Sequence, residues 1–293
     1  MTAAVADGEL TLGGVRASDL AAEHGTPLVV YCEETIRAQA RAYRAAAPGA
    51  LIVYGTKAFA NVALLRLLAD EGIGADVSTL GELAFAREAG IPGERILFHG
   101  NNKSDEELGW QPRLLDIGGG LGIRYTREEH VPDVSDFVPP LVARLPDVQV
   151  VLEPGRSLVG RAGVTLYRVG VVKESGGVSY VAVDGGMSDN PRPQLYGARY
   201  EALLANRAHE LADGVFRIAG KHCESGDVLI DAIALPHPRR GDLLAVPATG
   251  AYTLAMASTY NGVPNPAAVL VADGHARVVR ARQPVSDLLR FER

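Results

Sequence analysis

The fold of this chain is decided by residues 51–72, which read LIVYGTKAFANVALLRLLADEG. The apolar, β-branched run at residues 51–54 predicts a buried strand, and the amphipathic segment after the glycine predicts a helix. One lysine, Lys57, stands between the two. It is either a lysine whose ammonium group reaches water at the rim of a sheet, or an amine whose pKa is lowered by burial so that it can form an imine.

The same strand-then-helix pattern continues from about residue 28 to residue 156. Strand candidates lie around residues 28–31, 51–54, 74–77, 95–99, 114–117 and 149–152. Strands that alternate with helices predict a parallel sheet, in an α/β fold. In such folds the functional residues lie just past the carboxyl ends of the strands.

The pattern changes after about residue 160. Residues 163–187 read as two strands joined through Gly176 and Gly177, and residues 267–281 read as a hairpin around Asp273-Gly274. These segments predict a mostly antiparallel β-domain, to which residues 8–21 could add a strand. The predicted domains are therefore residues 28–156 for the parallel part, and residues 1–27 with 157–293 for the β-domain.

Composition narrows the class of protein. The 293 residues are 47% hydrophobic and 22% charged, which is typical of a globular protein, and the net charge is −6. Without a cluster of Lys and Arg, nucleic acid and anionic membrane are poor partners. No apolar run approaches the ~20 residues of a membrane span. Cys32, Cys223 and seven scattered histidines lack metal-ligand spacing, so we expect no metal site and a cytoplasmic protein with reduced thiols.

Groups capable of chemistry follow several of the predicted parallel strands. They are Lys57, Asp76, the glycines at 118–120, Glu153 and Arg156. The glycines do not fit a dinucleotide fingerprint, and they indicate either a tight turn or a loop whose backbone N–H groups bind phosphate. A phosphate-binding loop together with a reactive lysine indicates a phosphorylated aldehyde, pyridoxal 5'-phosphate.

Eight segments make the sequence similar to a known family. They read VYGTKAF, ADVSTLGEL, LFHGNNKS, LDIGGGLGI, LEPGRSLVG, VDGGMSDNPRPQLYGARYE, GKHCESGD and ATGAYTLAMASTYN. In this order they resemble the fold-type III pyridoxal-phosphate-dependent decarboxylases, specifically the diaminopimelate decarboxylases, from about residue 28 to the C-terminus. The resemblance implies a (β/α)8 barrel followed by a β-domain, and decarboxylation of meso-2,6-diaminopimelate to L-lysine and CO2, the last step of bacterial lysine biosynthesis.

The resemblance also implies roles for single residues in cofactor binding. The cofactor-binding set would be Lys57, Asp76, Gly118, Gly119, Gly120, Glu153 and Tyr252. Lys57 would form the Schiff base, while the glycines and Tyr252 would hold the phosphate. Glu153 would keep the pyridine nitrogen protonated, which makes the ring a strong electron sink and favours decarboxylation over racemisation.

A second set would choose and process the substrate. The substrate-binding set would be Arg156, Arg192, Tyr196, Glu224 and Tyr252. The first three match the family's residues for the distal carboxylate, and Glu224 would meet the distal amine. Cys223 would protonate the carbanion, and its loop would reach across a homodimer interface. Ornithine- or arginine-type decarboxylation is the alternative chemistry, but those substrates lack the second carboxylate.

The segment predicted to form the barrel is too short. Residues 31–156 fall well below the ~200 residues that a complete barrel usually needs. At roughly 30 residues for each βα unit, two or three units are missing. The family's His-x-His-Ile-Gly-Ser motif, whose histidine stacks on the cofactor ring, does not occur in the sequence, and His99 is a poor substitute. We therefore expect a contracted barrel with the strand at 95–99 beside that at 114–117, and an impaired or non-catalytic paralogue as the alternative function.

Overall fold

A computed structural model of the chain describes residues 3–98, 114–145 and 149–292. In chain order the strands are β1 (Ala3–Ala6), β2 (Glu9–Leu12), β3 (Val15–Arg16), β4 (Leu28–Cys32), β5 (Leu51–Gly55), β6 (Gly74–Val77), β7 (Ile96–Phe98), β8 (Leu114–Asp116), β9 (Gln149–Leu152), β10 (Gly163–Ser175), β11 (Val178–Val183), β12 (Leu203–Leu204), β13 (Gly214–Ala219), β14 (Val228–Leu235), β15 (Leu243–Pro247), β16 (Ala267–Ala272) and β17 (His275–Arg280). The α-helices are α1 (Ala17–His24), α2 (Glu33–Ala46), α3 (Val62–Asp70), α4 (Leu80–Glu88), α5 (Val134–Val142), α6 (Arg156–Val159), α7 (Arg192–Tyr196) and α8 (Val285–Leu288).

The chain divides into two compact units. The β unit comprises Met1–Thr35, Arg124–Glu129 and Gly160–Arg293, and the parallel unit comprises Ile36–Ile123 and His130–Val159. These limits differ from the predicted domains, because residues 28–35 and 124–129 belong to the β unit.

The parallel unit is built on a five-stranded sheet in the order β7-β6-β5-β9-β8, counted within the described ranges. Every strand pair in it is parallel. The central strand β5 is apolar on both faces, with Ile52, Val53 and Tyr54 at most 3% exposed, as expected for a parallel strand covered on both sides. The sheet is a curled half-barrel, which confirms the prediction of a barrel that lacks βα units.

The prediction that the strands at 95–99 and 114–117 lie side by side is wrong. The strands predicted at 95–99 and 114–117 exist as β7 and β8, but they lie at opposite edges with β6, β5 and β9 between them. The reason is that β5, the first parallel strand, pairs with β6 on one side and β9 on the other, so β7 and β8 each join an outer flank. Residues 99–113, including His99, lie outside the described residues.

The strand predicted to open the barrel, at residues 28–31, belongs instead to the β unit. It forms β4, which pairs antiparallel with β10 and parallel with β16. All five residues are at most 2% exposed. A strand apolar on both faces suits either sheet, and long-range pairing decides between them.

The β unit contains a nine-stranded, mostly antiparallel sheet, which confirms the predicted β-domain. Its longest strand, β10, pairs with β4, β11 and β15. Gly176 and Gly177 have φ angles of 58° and 75° in the turn between β10 and β11, and Asp273-Gly274 turns the hairpin of β16 and β17 as predicted. Strands β1, β2 and β3 form a separate three-stranded sheet, so the N-terminal segment does not extend the large sheet.

Within the described ranges, no helix is long and apolar enough to cross a membrane. The same residues contain no group of three or more His, Cys, Asp or Glu side chains that could hold a metal ion.

Candidate active site

Lys57 lies at the carboxyl end of the central parallel strand. It sits in a 3-10 turn, Thr56–Ala58, directly after β5. The Thr56 hydroxyl donates to the Asp76 carbonyl oxygen at 2.7 Å, which fastens this turn to the end of β6. The Lys57 side chain is exposed, so of the two alternatives its position agrees with a side chain that reaches water at the rim of the sheet and not with a buried amine. Lys57 lies at the end of a strand and before a helix, as the change from a strand pattern to a helix pattern predicted.

Three carboxyl groups lie near this lysine in the parallel unit. Asp76 on β6 is 4% exposed, Asp116 ends β8, and Glu153 directly follows β9. Burial, a hydrogen bond with Asp116 and the negative charges of Asp76 and Asp116 raise the pKa of Glu153 to about 8, against the lowering effect of the Lys57 charge. The pair formed by Glu153 and Asp116 therefore retains a proton to higher pH than an ordinary glutamate does.

The glycine loop is joined to the same carboxyl groups. The Asp116 carboxylate accepts a hydrogen bond from Gly118 N at 2.7 Å, and the Gly118 carbonyl accepts one from Glu153 N at 2.9 Å. A Cβ on Gly119 would lie 2.2 Å from the Glu153 carbonyl oxygen, so a side chain cannot be placed there without a shift of the backbone. Gly119 is thus required for close packing between the ends of β8 and β9.

Gly118 and Gly120, on either side of Gly119, require glycine because of their backbone conformation. Gly118 and Gly120 have φ angles of 74° and 84°, in the left-handed region that disfavours side chains. A Cβ at either position would meet no atom of the described residues within 4 Å, so among these residues open space lies against this backbone. An oxyanion can approach such a loop closely, and the loop therefore fits a phosphate group.

Arg192, predicted to bind a distal carboxylate, is buried in the β unit at 4% exposure. Its Nη1 donates to the Tyr200 hydroxyl at 2.7 Å, and its Cζ lies 4.7 Å from the centre of the Tyr125 ring. Burial raises the pKa of Tyr200 to about 12, so that hydroxyl accepts as a neutral group. Arg192 Nε has no hydrogen-bond partner among the described residues. The Arg192 guanidinium therefore contacts two tyrosines. The sequence had predicted that it contacts the substrate.

The other predicted residues of the β unit lie at or near the surface. Tyr196 is 65% exposed, and Cys223 and Glu224 are exposed in the loop before β14. Tyr252 is half-buried and has a φ of 58° in the turn after β15. Arg156 is half-buried at the start of α6 in the parallel unit.

The structure thus places Lys57, Asp76, Glu153 and the glycine loop together at one end of the parallel sheet, and Arg156 follows the same strand as Glu153. Sequence reasoning missed Asp116, which joins Glu153 to the loop. The available signal was an acidic residue at the end of a strand, directly before the glycines, as Asp76 ends its own strand.

A chain with a strand-end lysine, clustered carboxyl groups and a glycine loop in one unit, and a large β-sheet in the other, is matched by a known family. The family model described as pyridoxal-dependent decarboxylase, C-terminal sheet domain, matches residues 5–250. The chain belongs to this family of pyridoxal-dependent decarboxylases.

Individual relatives narrow the similarity further. The chain is 36% identical to diaminopimelate decarboxylase of Actinosynnema pretiosum subsp. auranticum, with 97% of this chain and 93% of the relative covered. It is 34% identical to diaminopimelate decarboxylase of Bacillus subtilis, with 97% and 95% covered. Among solved structures, AQ1208 from Aquifex aeolicus has a TM-score of 0.91 at 30% identity, covering 98% of this chain and 96% of that one. Diaminopimelate decarboxylase from M. jannaschii, in complex with L-lysine, also has a TM-score of 0.91, at 25% identity, with 100% and 98% covered.

The alignment with a relative also shows that this chain is internally shorter than that relative. The alignment with the Actinosynnema relative extends over 407 residues, whereas this chain has 293. Because both ends are matched, the relative contains internal residues that have no counterpart here. The five-stranded parallel sheet of the described ranges agrees with that difference.

Proposed function

We propose that this chain binds pyridoxal phosphate in the parallel unit and decarboxylates meso-2,6-diaminopimelate to L-lysine. The observation that carries the proposal is the cluster of Lys57, Asp76, Asp116 and Glu153 beside a glycine loop, in a member of a pyridoxal-dependent family. The relatives named as diaminopimelate decarboxylases, and the relative solved with L-lysine, support the substrate.

The residues present fit the cofactor. Open space beside the backbone of Gly118 and Gly120 suits its phosphate, and the exposed amine of Lys57 is accessible to its aldehyde. Glu153 would hold a proton at the ring nitrogen, because burial and the neighbouring carboxyl groups raise the pKa of Glu153. When bound, pyridoxal phosphate supplies an electron sink for the electron pair left by departing CO2.

The chain's other predicted residues would then orient the substrate and deliver a proton. Arg156, Arg192 and Tyr196 would bind the distal carboxylate, because guanidinium groups bind carboxylates through paired hydrogen bonds. Glu224 would bind the distal ammonium group by charge. The Cys223 thiol would give its proton to the substrate carbon, since a thiol is a suitable acid near neutral pH.

We also propose a homodimer and a cytoplasmic location. The exposure of Cys223 and Glu224 supports the dimer, because it leaves their loop free to serve a second subunit. Neither Cys32 nor Cys223 takes part in a disulfide bond, which suits a reducing compartment.

A second candidate is an impaired or non-catalytic member of the family. The half-barrel and the longer alignment favour it, because the missing βα units would supply the stacking histidine and part of the shield from water. The two candidates differ in turnover: release of CO2 from meso-diaminopimelate at a rate near that of a full-length relative supports the first. Preference for ornithine over diaminopimelate would instead support the alternative chemistry.

The cofactor assignment is tested separately from turnover. Purified chain given pyridoxal phosphate is expected to show visible absorbance, and borohydride is expected to fix the label on the peptide that contains Lys57. Lys57→Ala should lose the label, while Lys173→Ala, at an exposed lysine of β10, should keep it. A label that remains in the Lys57 variant would disprove the assignment.

A further inference from the structure

The loop that carries Cys223 and Glu224 is anchored by a buried carboxylate. Asp227, 3% exposed, accepts hydrogen bonds from Met187 N at 2.7 Å and from His222 N at 2.9 Å. A Cβ on Gly220 would lie 2.1 Å from its Oδ2, and one on Gly186 would lie 2.5 Å away. Two glycine-containing segments therefore close tightly around this one carboxylate.

His222 is the side chain that Asp227 holds. Its Nδ1 lies 2.7 Å from Asp227 Oδ2, and both side chains are at most 1% exposed. Because a carboxylate can only accept, Nδ1 carries the proton and donates it. The Tyr260 ring stacks on the imidazole, with 5.8 Å between ring centres and 15° between planes. Nε2 has no hydrogen-bond partner among the described residues, so Asp227 and Tyr260 orient the ring.

The residues between this pair project outward. Cys223, Glu224, Ser225 and Gly226 are all exposed, whereas His222 and Asp227 on either side of them are buried. The Cys223 backbone N–H donates to Asn261 Oδ1 at 3.2 Å, next to the stacked Tyr260. An exposed loop would otherwise sample many conformations, at a cost in entropy for each ordered residue.

We propose that His222 and Asp227 are positioning residues for Cys223 and Glu224: the buried pair holds both ends of the exposed loop. The inference rests on the proposed function in assigning Cys223 and Glu224 to the reaction. The anchoring of the loop by His222 and Asp227 follows from these contacts and does not depend on any cofactor.

The experiment compares two variants of the full chain by hydrogen–deuterium exchange without cofactor. His222→Asn keeps an N–H donor near the position of Nδ1, whereas His222→Leu keeps volume and loses the donor. In His222→Leu the peptide covering residues 221–227 should exchange at least about tenfold faster, because a hydrogen bond to a charged group is lost. In His222→Asn the same peptide should change by less than about threefold.

Turnover provides the second readout. His222→Leu should lower kcat for diaminopimelate with little change in pyridoxal phosphate affinity, because Lys57 and the glycine loop belong to the parallel unit. Tyr260→Ala, at a 44% exposed residue, is a milder variant in case His222→Leu does not fold, and it should also speed exchange of the loop. Equal exchange in native, Asn and Leu proteins would overturn the inference, as would acceleration spread evenly over peptides of β10 and β15. If the native chain shows no turnover, the proposed function fails. The exchange comparison still tests whether His222 and Asp227 anchor the loop.

Discussion

At the scale of single residues, the chemistry of the parallel unit depends on carboxyl groups placed close together. Burial, a hydrogen bond with Asp116 and the negative charge of Asp76 together raise the pKa of Glu153 to about 8. A carboxyl group with a raised pKa, beside a glycine loop, suits the placement of a proton on a ring nitrogen. Gly118 N donates to Asp116, the hydrogen-bond partner of Glu153, and so joins this carboxyl pair to the glycine loop.

This pKa predicts how stability changes with pH. In the cofactor-free protein, folded Glu153 keeps a proton that the unfolded chain releases near its ordinary pKa of 4.5. The folded state thus binds more protons between these values, and this group lowers the free energy of unfolding as pH rises from about 4.5 to about 8. Glu153→Gln should remove that contribution and flatten the pH profile of Tm. Glu128→Gln, at an exposed glutamate, is the control, and profiles of equal slope for native and Glu153→Gln would contradict the prediction.

The burial of Arg192 gives a second residue-scale prediction. A lysine there could neither stack on Tyr125 as a planar group does nor keep the same hydrogen bond to Tyr200, and its ammonium would be left buried. Arg192→Lys should therefore lower the free energy of unfolding by about 2–3 kcal/mol even without substrate. Arg199→Lys is the matched control, since its side chain is 74% exposed. Urea denaturation measures both, and equal stability would show that Arg192 has no structural role.

At the scale of elements, the ends of β8 and β9 are joined through the glycine loop. Gly119 lies against the Glu153 carbonyl, and Glu153 N donates to Gly118 O at 2.9 Å. The phosphate-type loop and the ring-nitrogen carboxyl group are therefore two parts of one backbone arrangement, and a change in one should displace the other.

Gly119→Ala tests this coupling. Its Cβ would lie 2.2 Å from the Glu153 carbonyl oxygen, so the strand ends must separate, which should cost about 1–3 kcal/mol and weaken pyridoxal phosphate binding. Gly122→Ala is the control, because its Cβ would meet Val131 at an ordinary 3.9 Å. Thermal unfolding and cofactor titration should separate the two variants. Indistinguishable behaviour would mean that the loop does not depend on the close approach.

At the scale of the whole molecule, the parallel sheet of the described residues is a half-barrel, and the chain is shorter than the relatives that it matches. Within the described ranges, β7 and β8 each have one strand neighbour. The alignment with the Actinosynnema relative extends over 407 residues, whereas this chain has 293. Water exclusion strengthens electrostatic interactions in an active site, so a shortened barrel should reduce turnover more than it reduces cofactor attachment at Lys57.

Restoring the missing segment should therefore raise turnover. In the chimaera, residues 99–113 are replaced by the corresponding longer segment of the Actinosynnema relative. We expect kcat/KM for diaminopimelate to rise at least about tenfold, because the segment returns shielding and a stacking side chain. A Gly/Ser-rich insert of equal length is the control. A folded chimaera without a gain, or an equal gain from the control insert, would show that the contraction does not limit activity.

The sequence by itself determined the features that depend on local pattern. Alternating strands and helices, the glycine turns and the position of Lys57 at a strand end follow from residue type and periodicity, which act over a few neighbours. Tertiary structure decided which sheet receives β4, because a strand that is apolar on both faces satisfies either one. It also decided that Lys57 is exposed, that Arg192 is enclosed by tyrosines and that Asp116 meets Glu153. Burial and carboxyl–carboxyl proximity arise from residues distant in the chain, and no local pattern encodes them.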